Sequence, residues 1–232
     1  MRTRQEIKTL AKSAISAQAR TSRLLVIVFI LMAIASVVLD QVVLWVTGSP
    51  GVLYWIVFWA GMLFLYVLSV NLYGEYIKIS LGNEASVGAL FSELSVNFFR
   101  KLGGMLWMML WIALWSLLLV VPGIIKALSY YFAPNILADC PNITARQALK
   151  ISMKITKGYK GDIFVFALSW IGWLILSSLT FGILYIVYVG PYWYAADAGF
   201  YLELRNKALA DGVITLEDLG KPPKTNAAPH VW

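Results

Sequence analysis

Two acidic residues and several tyrosines stand where the chain is otherwise apolar. Asp139 and Asp197 each come shortly after a proline that interrupts an apolar run, Pro134 and Pro191 respectively. An ionisable side chain inside a membrane is costly, and it indicates a functional site by default. We therefore expect a polar cavity near the two prolines, lined by Tyr130, Asp139, Tyr188, Tyr192 and Asp197.

Other interpretations of the same residues stay open. Tyrosines commonly form belts at the membrane interface. Asp197 could pair with an interfacial lysine or arginine, and the prolines could be packing kinks. Near the opposite ends of the apolar runs, Asp40 and Lys126 are candidates for a charge pair at the outer face. Alternatively, Lys126 simply extends its amine to the lipid headgroups.

Enzyme signatures are missing from the chain. The sequence contains no G-x-S-x-G, no P-loop, no H-E-x-x-H and no G-x-G-x-x-G. Its single cysteine, Cys140, and single histidine, His230, cannot supply a conventional zinc site of about four ligands. We predict no catalytic residues, no metal and no cofactor, and the sequence argues against an enzyme.

Composition predicts which kind of element holds these residues. Of the 232 residues, 60% are hydrophobic and 13% are charged, whereas soluble domains have about 25% charged residues. Several apolar runs reach the roughly 20 residues that a spanning helix needs. The sequence predicts an all-α membrane protein with six transmembrane helices arranged as three hairpins, at residues 24–46, 52–72, 103–121, 124–138, 163–179 and 182–202.

The distribution of basic residues predicts the orientation. With six spans, every lysine and arginine except Lys126 lies on one side, together with both termini. Positive residues accumulate on the cytoplasmic side. We therefore expect both termini in the cytoplasm, and turns at 47–51, 122–123 and 180–182 on the other side. The basic residues behind the net charge of +7 are explained by this topology and by attraction to anionic lipid. The charge does not predict nucleic-acid binding.

Amphipathic helices are predicted beside the six-span domain, which covers residues 24–204. Residues 1–23 are basic and place Ile7, Leu10 and Ala11 on one helical face, which indicates a helix in the cytoplasmic interface. A signal peptide is the alternative, but the run at 24–46 is too long for one. A second apolar stripe covers 87–98, and Thr144 is the expected N-cap of a third helix. Residues 205–232 form a cytoplasmic tail.

The last two hairpins resemble each other. Residues 89–126 align without a gap on residues 148–185, pairing Trp111 with Trp170 and Gly123 with Gly182. The predicted units are about 87–140 and 146–200, each a surface helix, a span, a corner and a proline-broken span. Both begin on the same side, so they would be parallel repeats, and interrupted spans in repeats indicate a transport site.

Short motifs along the chain carry a family resemblance. They are Arg4-x-x-Ile7-Lys8-x-x-Ala11-Lys12, Pro122-Gly123-Ile124 with Tyr130, Asp139-x-Pro141, Ala148-x-x-x-Ser152, Lys157-Gly158-x-Lys160, Leu168-Ser169-Trp170-Ile171-Gly172-Trp173 and Phe200-Tyr201-x-x-Leu204. With these the chain resembles a bacterial polytopic integral-membrane family of unknown function (domain of unknown function nine hundred seventy-five). The resemblance implies a multi-pass protein of the bacterial cytoplasmic membrane, but no activity and no site residue.

Three functions are compatible with the sequence. The first is a non-enzymatic protein that assembles with or regulates other membrane components. It is placed first because it requires the fewest specialised residues. The alternative is a small transporter or channel with a site between the proline-broken fourth and sixth spans. The third is a lipid-active membrane enzyme. Expected partners are the bilayer, anionic lipids at the cytoplasmic face, and a second copy or another membrane protein.

Overall fold

The computed structural model describes residues 2–220, without the side chain of Leu118. Within this part of the chain every regular element is a helix, which confirms the all-α prediction. The elements are α1 Arg4–Ala17, α2 Ala19–Thr47, α3 Val52–Ser80, α4 Val87–Ser92, α5 Phe98–Leu118, α6 Val120–Ser129, α7 Ala133–Asp139, α8 Ala145–Ile155, α9 Lys160–Leu168, α10 Ile171–Leu179, a π-helical turn Tyr185–Val189 and α11 Gly190–Ala210.

Three segments are long and apolar enough to cross a membrane: α2, α3 and the pair α9–α10 over Lys160–Leu179. They correspond to the first, second and fifth predicted spans. Large apolar side chains are exposed on them, including Trp45 with 85% of its surface accessible and Trp59 with 58%. Contiguous apolar surface of this kind is unfavourable in water. By their length and composition these three helices could cross a membrane, which supports the membrane prediction.

One of the expected corners is displaced. The chain turns at Leu119, which is extended (φ −162°, ψ 144°) between α5 and α6, and not at Pro122-Gly123. Pro122 instead occupies the first turn of α6, where a missing N–H costs nothing because it would have no helical acceptor. Gly123 provides close packing, since a Cβ there would lie 2.9 Å from the Ser116 Cα.

The corner predicted at Phe181-Gly182 is confirmed. Both residues have a positive φ, 50° for Phe181 and 81° for Gly182. Glycine adopts this left-handed conformation freely, whereas Phe181 does so at some energetic cost. The turn ends α10 and sends the chain back toward the π-helical turn.

Both prolines of the predicted cavity begin new helical segments. α6 ends at Ser129, and Pro134 lies in the first turn of α7. Pro191 lies in the first turn of α11, directly after the π-helical turn. At the end of the π-helical turn the Gly190 N–H donates a hydrogen bond to the Tyr185 carbonyl. Proline is well suited to a first turn and poorly suited to a helix interior. The predicted fourth span is thus divided in two, whereas the predicted sixth span is helical throughout 183–210 and contains the π-helical turn.

Two predicted surface helices are present, with their apolar faces turned inward. Thr3 caps α1 and Thr144 caps α8, each in a capping box, which confirms the predicted cap at Thr144. In α1 the side chains of Ile7 and Ala11 are buried. Ile7 contacts α11, where a Cβ on Gly199 would lie 3.5 Å from the Ile7 Cγ2. α1 is therefore part of the packed protein.

The stripe predicted over 87–98 is not one helix. α4 ends at Ser92, and Asn97 has a left-handed φ of 56° immediately before α5. Asparagine tolerates this conformation better than most residues. The region is therefore a short helix and a turn, with Leu90 fully buried and Phe91 40% exposed.

The predicted tail also departs from expectation where it is described. Residues 205–210 continue α11, and Ile214 and Leu219 are buried. Lys154 on α8 forms an ion pair with Asp218 at 3.4 Å. The segment after α11 thus folds back on α8, while residues 221–232 lie outside the described part.

Candidate functional site

A polar seam joins the two proline-led helices. Asn135 and Asp139 lie on α7, and Asp197, Tyr201 and Arg205 lie on α11. A spacing of four places such residues on one face of a helix. These five residues are called the α7–α11 seam below. The rings of Phe132 and Phe200, 5.6 Å apart and nearly perpendicular, continue the same contact.

The first part of the seam is centred on Asp197. Its carboxylate is 2% exposed and accepts a hydrogen bond of 3.0 Å from Asn135 Nδ2. The phenol of Tyr131 is close enough to interact electrostatically with this carboxylate. Among residues 2–220 no lysine or arginine forms an ion pair with Asp197. The Asn135 Oδ1 atom is buried and has no hydrogen-bond partner there.

Two further tyrosines lie near this carboxylate. Tyr73 of α3 and Tyr194 of α11 are close enough to interact electrostatically with Asp197. Their rings are 5.3 Å apart, edge to face, and Tyr194 stacks on Tyr76 at 5.2 Å. Tyr73, Tyr131, Asn135, Tyr194 and Asp197 are called the Asp197 site below. Its oxygen atoms and uncompensated carboxylate suit a proton or a small cation.

The second part of the seam is a complete ion pair. Arg205 Nη1 donates to Asp139 Oδ2 at 2.7 Å, and the Tyr201 hydroxyl donates to the same oxygen at 2.8 Å. Both charged side chains are nearly buried, 13% exposed for Arg205 and 10% for Asp139. The two opposite charges compensate each other in this nearly buried setting.

Arg100, at the start of α5, fixes the end of α7. Its guanidinium donates to the carbonyls of Leu137 at 2.6 Å, Cys140 at 3.1 Å and Ile143 at 3.1 Å. The last carbonyls of a helix lack internal partners, and a cation there also matches the negative end of the helix dipole. Arg100 thereby holds the α7 end that presents Asp139.

The structure brings together only part of the predicted cavity. Asp139 and Asp197 lie on the same seam. Tyr188 and Tyr192 lie together elsewhere, with rings 5.6 Å apart, and Tyr192 also packs against Trp170 at 4.9 Å. Tyr130 packs in a small cluster with Ala133 and Leu149.

Two tyrosines of the site lie one and two residues from the ones we expected. Tyr131 takes the place of Tyr130, and Tyr194 that of Tyr192. Each helical residue corresponds to a rotation of about 100°, so a shift of one or two residues turns the side chain elsewhere. The sequence spacing could have predicted these two tyrosines. Tyr131 and Asn135 are four residues apart and Tyr194 and Asp197 are three apart, and such spacings place side chains on one face of a helix. Nothing in the sequence indicated Tyr73.

Asp40 and Lys126 do not form an ion pair. The Lys126 ammonium lies over the rings of Trp115 at 5.2 Å and Tyr130 at 5.6 Å. Asp40 is 6% exposed, and its Oδ1 has no hydrogen-bond partner within residues 2–220. The physical reason is that α2 packs on α3 whereas α6 packs on α5. The two charges belong to separate helix pairs.

α1 covers the opposite side of α11. The Lys8 ammonium bonds to Ser169 Oγ at 2.7 Å and lies 4.7 Å above the Trp170 ring, at the break between α9 and α10. Burial lowers the pKa of Lys8. A cavity of about 430 Å³ lies between α1, α11 and the end of α3, lined by Ile7, Ala11, Ile79, Ala195, Gly199 and Leu202 among others.

Comparison with known proteins gives one match. The model of a family described as "Protein of unknown function (DUF975)" matches residues 52–208, which include the whole α7–α11 seam. This is the family that the short motifs resemble. No curated protein and no solved structure matches the chain.

Proposed function

This chain belongs to the DUF975 family of proteins of unknown function, and we propose that it is a small cation transporter of the bacterial cytoplasmic membrane. In this proposal Asp197 carries the ion. The observation that supports it is a carboxylate with 2% exposure and no basic partner in the described part of the chain. A buried charge without a counter-charge costs several kcal/mol, so its neutralisation by a bound ion is strongly favoured.

A comparison of the two aspartates in the α7–α11 seam favours an ion-binding role for Asp197. A carboxylate that only holds helices together is best served by a cationic partner, as Asp139 is by Arg205 at 2.7 Å. Asp197, four residues before Tyr201 on the same helix, accepts a hydrogen bond from the Asn135 amide instead. Such a donor orients a carboxylate without cancelling its charge. Asp139 is therefore suited to structure and Asp197 to binding.

Helix breaks beside the site support movement of an ion. The chain is non-helical between Ser129 and Ala133, and the π-helical turn precedes Pro191. Broken helices near the middle of a membrane typically form transporter sites, because they free backbone carbonyls and let half-helices shift. π-Helical turns are likewise frequent at functional sites.

The proposal includes a six-span topology with both termini in the cytoplasm. The spans are α2, α3, α5, α6–α7, α9–α10 and the π-helical turn with α11. The positions of lysine and arginine support it, since Lys126 alone falls near the opposite face. Under this topology the Asp197 site lies closer to the cytoplasmic ends of its helices.

Thiol labelling tests the topology. In a Cys140→Ser background, Ser49→Cys should react with an impermeant maleimide in intact cells, and Lys154→Cys should react only after the membrane is opened. Both positions are exposed, so each thiol is reachable from its own side. Reaction of both positions from the same side would contradict six spans.

Ion flux tests the proposed transport. Purified protein in liposomes should conduct protons or alkali ions when a membrane potential is imposed, followed by a pH-sensitive dye and by ²²Na⁺. Asp197→Asn should reduce the flux to that of protein-free vesicles, because the neutral amide cannot balance the charge of a buried cation. Asp162→Asn, at an exposed carboxylate on α9, is the matched control and should retain full flux. Equal flux through wild type and Asp197→Asn would refute the proposal.

A role in membrane assembly or regulation is the second candidate. The observation that favours it is the breadth of apolar surface on α2 and α3, where Val38, Trp45 and Trp55 are all at least half exposed. Helices so exposed can contact a second copy or another membrane protein as well as lipid. Chemical crosslinking in native membranes would show such a partner.

A further inference from the structure

We infer that α1 binds the phosphate of an anionic phospholipid through Arg4, Lys8 and Lys12. These three residues are called the basic face of α1 below. The inference goes beyond the proposed transport and does not depend on it, because the Asp197 site contains none of the three.

The basic face is a line of cations without a counter-charge. Residues four apart lie on one side of a helix, one turn above another. Arg4 and Lys12 are exposed, and Lys8 is half-buried. Within residues 2–220 none of the three forms an ion pair. Burial and the positive charges of Arg4 and Lys12 lower the pKa of Lys8, so a negative charge bound there would be stabilising.

Acidic side chains that contact α1 are engaged at its N-terminal end. Glu6 accepts a hydrogen bond of 2.6 Å from the backbone N–H of Thr3, as part of the capping box. Glu203 accepts one of 2.8 Å from the backbone N–H of Arg2. Asp162, on α9, forms no ion pair within residues 2–220. A bound anion would therefore supply a compensating charge that the described part of the chain does not.

Aromatic rings hold two of the cations in place. The Lys8 ammonium lies 4.7 Å from the centroid of the Trp170 ring and donates to Ser169 Oγ at 2.7 Å. The Lys12 ammonium lies 5.3 Å from the centroid of the Tyr192 ring. The rings of Trp170 and Tyr192 are themselves in contact, 4.9 Å apart. A lysine ammonium has three N–H donors, so both lysines retain donors for phosphate oxygens.

The surroundings favour a phospholipid over a soluble phosphate. Tryptophan and tyrosine are typical of the headgroup level of a membrane, and Trp193 stacks on Trp170 at 5.5 Å. Ser169 shares a helix face with Gly172 and Leu176, which follow at spacings of three and seven. Leu176 is 46% exposed, and a Cβ on Gly172 would meet no atom within 4 Å. An acyl chain can therefore lie along α10 while the phosphate reaches the basic face.

Lipid binding to the purified full chain in detergent, counted by native mass spectrometry, tests this inference. Phosphatidylglycerol should bind saturably, with an affinity at least about tenfold higher than that of phosphatidylcholine with the same acyl chains. Lys12→Gln should weaken phosphatidylglycerol binding about fivefold, the scale for one basic residue at an anionic surface. Lys8→Gln combined with Lys12→Gln should remove the preference for phosphatidylglycerol.

Two controls separate the basic face from general charge and from folding. Lys157→Gln removes the same charge from an exposed lysine that forms no ion pair within residues 2–220, and it should bind both lipids as wild type does. Lys8→Arg combined with Lys12→Arg keeps both charges and should keep the preference. Size-exclusion chromatography checks that each variant is folded.

Equal affinities for the two lipids, or an unchanged preference in Lys12→Gln, would overturn the inference. Equal losses in Lys12→Gln and Lys157→Gln would mean that the attraction is spread over the whole surface, and would overturn it as well. Displacement of phosphatidylglycerol by millimolar inorganic phosphate would identify a soluble anion as the ligand and refute the lipid. Failure of phosphate to displace the lipid would support the inference.

Discussion

Replacing Arg205 with methionine is expected to lower the free energy of unfolding by about 3 kcal/mol or more. The change removes the guanidinium that donates to Asp139 at 2.7 Å and leaves a carboxylate that is only 10% exposed. Breaking a buried pair from one side is costly because a desolvated charge is left behind. SDS-induced unfolding of the purified protein measures the loss.

Two controls make this prediction specific. Asp139→Asn combined with Arg205→Met should recover most of the lost stability, since no uncompensated charge then remains. On the same helix, Lys207 pairs with Asp211 at 3.2 Å in a more exposed setting. Exposed pairs contribute about 0–1 kcal/mol, so Lys207→Met should have little effect. Similar losses from Arg205→Met and Lys207→Met would contradict a buried ion pair at the seam.

Trp170→Ala is expected to destabilise the protein by about 3–5 kcal/mol, the range for removing a buried aromatic side chain. Trp170 is completely buried at the break between α9 and α10. Its ring is 4.9 Å from Tyr192 and 5.5 Å from Trp193, and Lys8 lies above it. The substitution removes these contacts and opens a cavity under α1. Thermal unfolding followed by size-exclusion chromatography measures the effect.

Trp170→Phe is the matched comparison. The indole Nε1 is buried and has no hydrogen-bond partner within residues 2–220. Phenylalanine therefore removes ring area but no hydrogen bond, and it should cost less than half as much as alanine. A loss equal to that of Trp170→Ala would mean that the indole N–H is hydrogen-bonded.

Local chemistry explains what was predictable from the sequence. Thr144 has the side chain and the Gln147 partner of a capping box, and both are visible in the sequence. Composition alone was enough to predict that α2 and α3 are long and apolar. Asp139 and Asp197 could be singled out as neighbours on proline-led segments because intramembrane acids are rare.

The parts that were not predictable depend on contacts between distant segments. Whether Tyr131 or Tyr130 lies near Asp197 depends on the turn between α6 and α7 and on how α7 and α11 pack against α3. The turn falls at Leu119 because α5 and α6 need Gly123 against Ser116. Proline and glycine mark such places, but their role as turn or packing site is decided by a partner helix.

The position of α1 has a consequence for how the protein is made. Ile7 packs against Gly199, and the backbone N–H of Arg2 bonds to Glu203 at 2.8 Å, so the first described helix rests mainly on the last described one. Domains generally begin to fold from the N-terminus during synthesis, but α11, the helix that α1 contacts most, is translated about 170 residues later. Docking of α1 is thus a late step in biogenesis, and a chain truncated before α11 would leave α1 undocked at the membrane surface, open to chaperones and proteases.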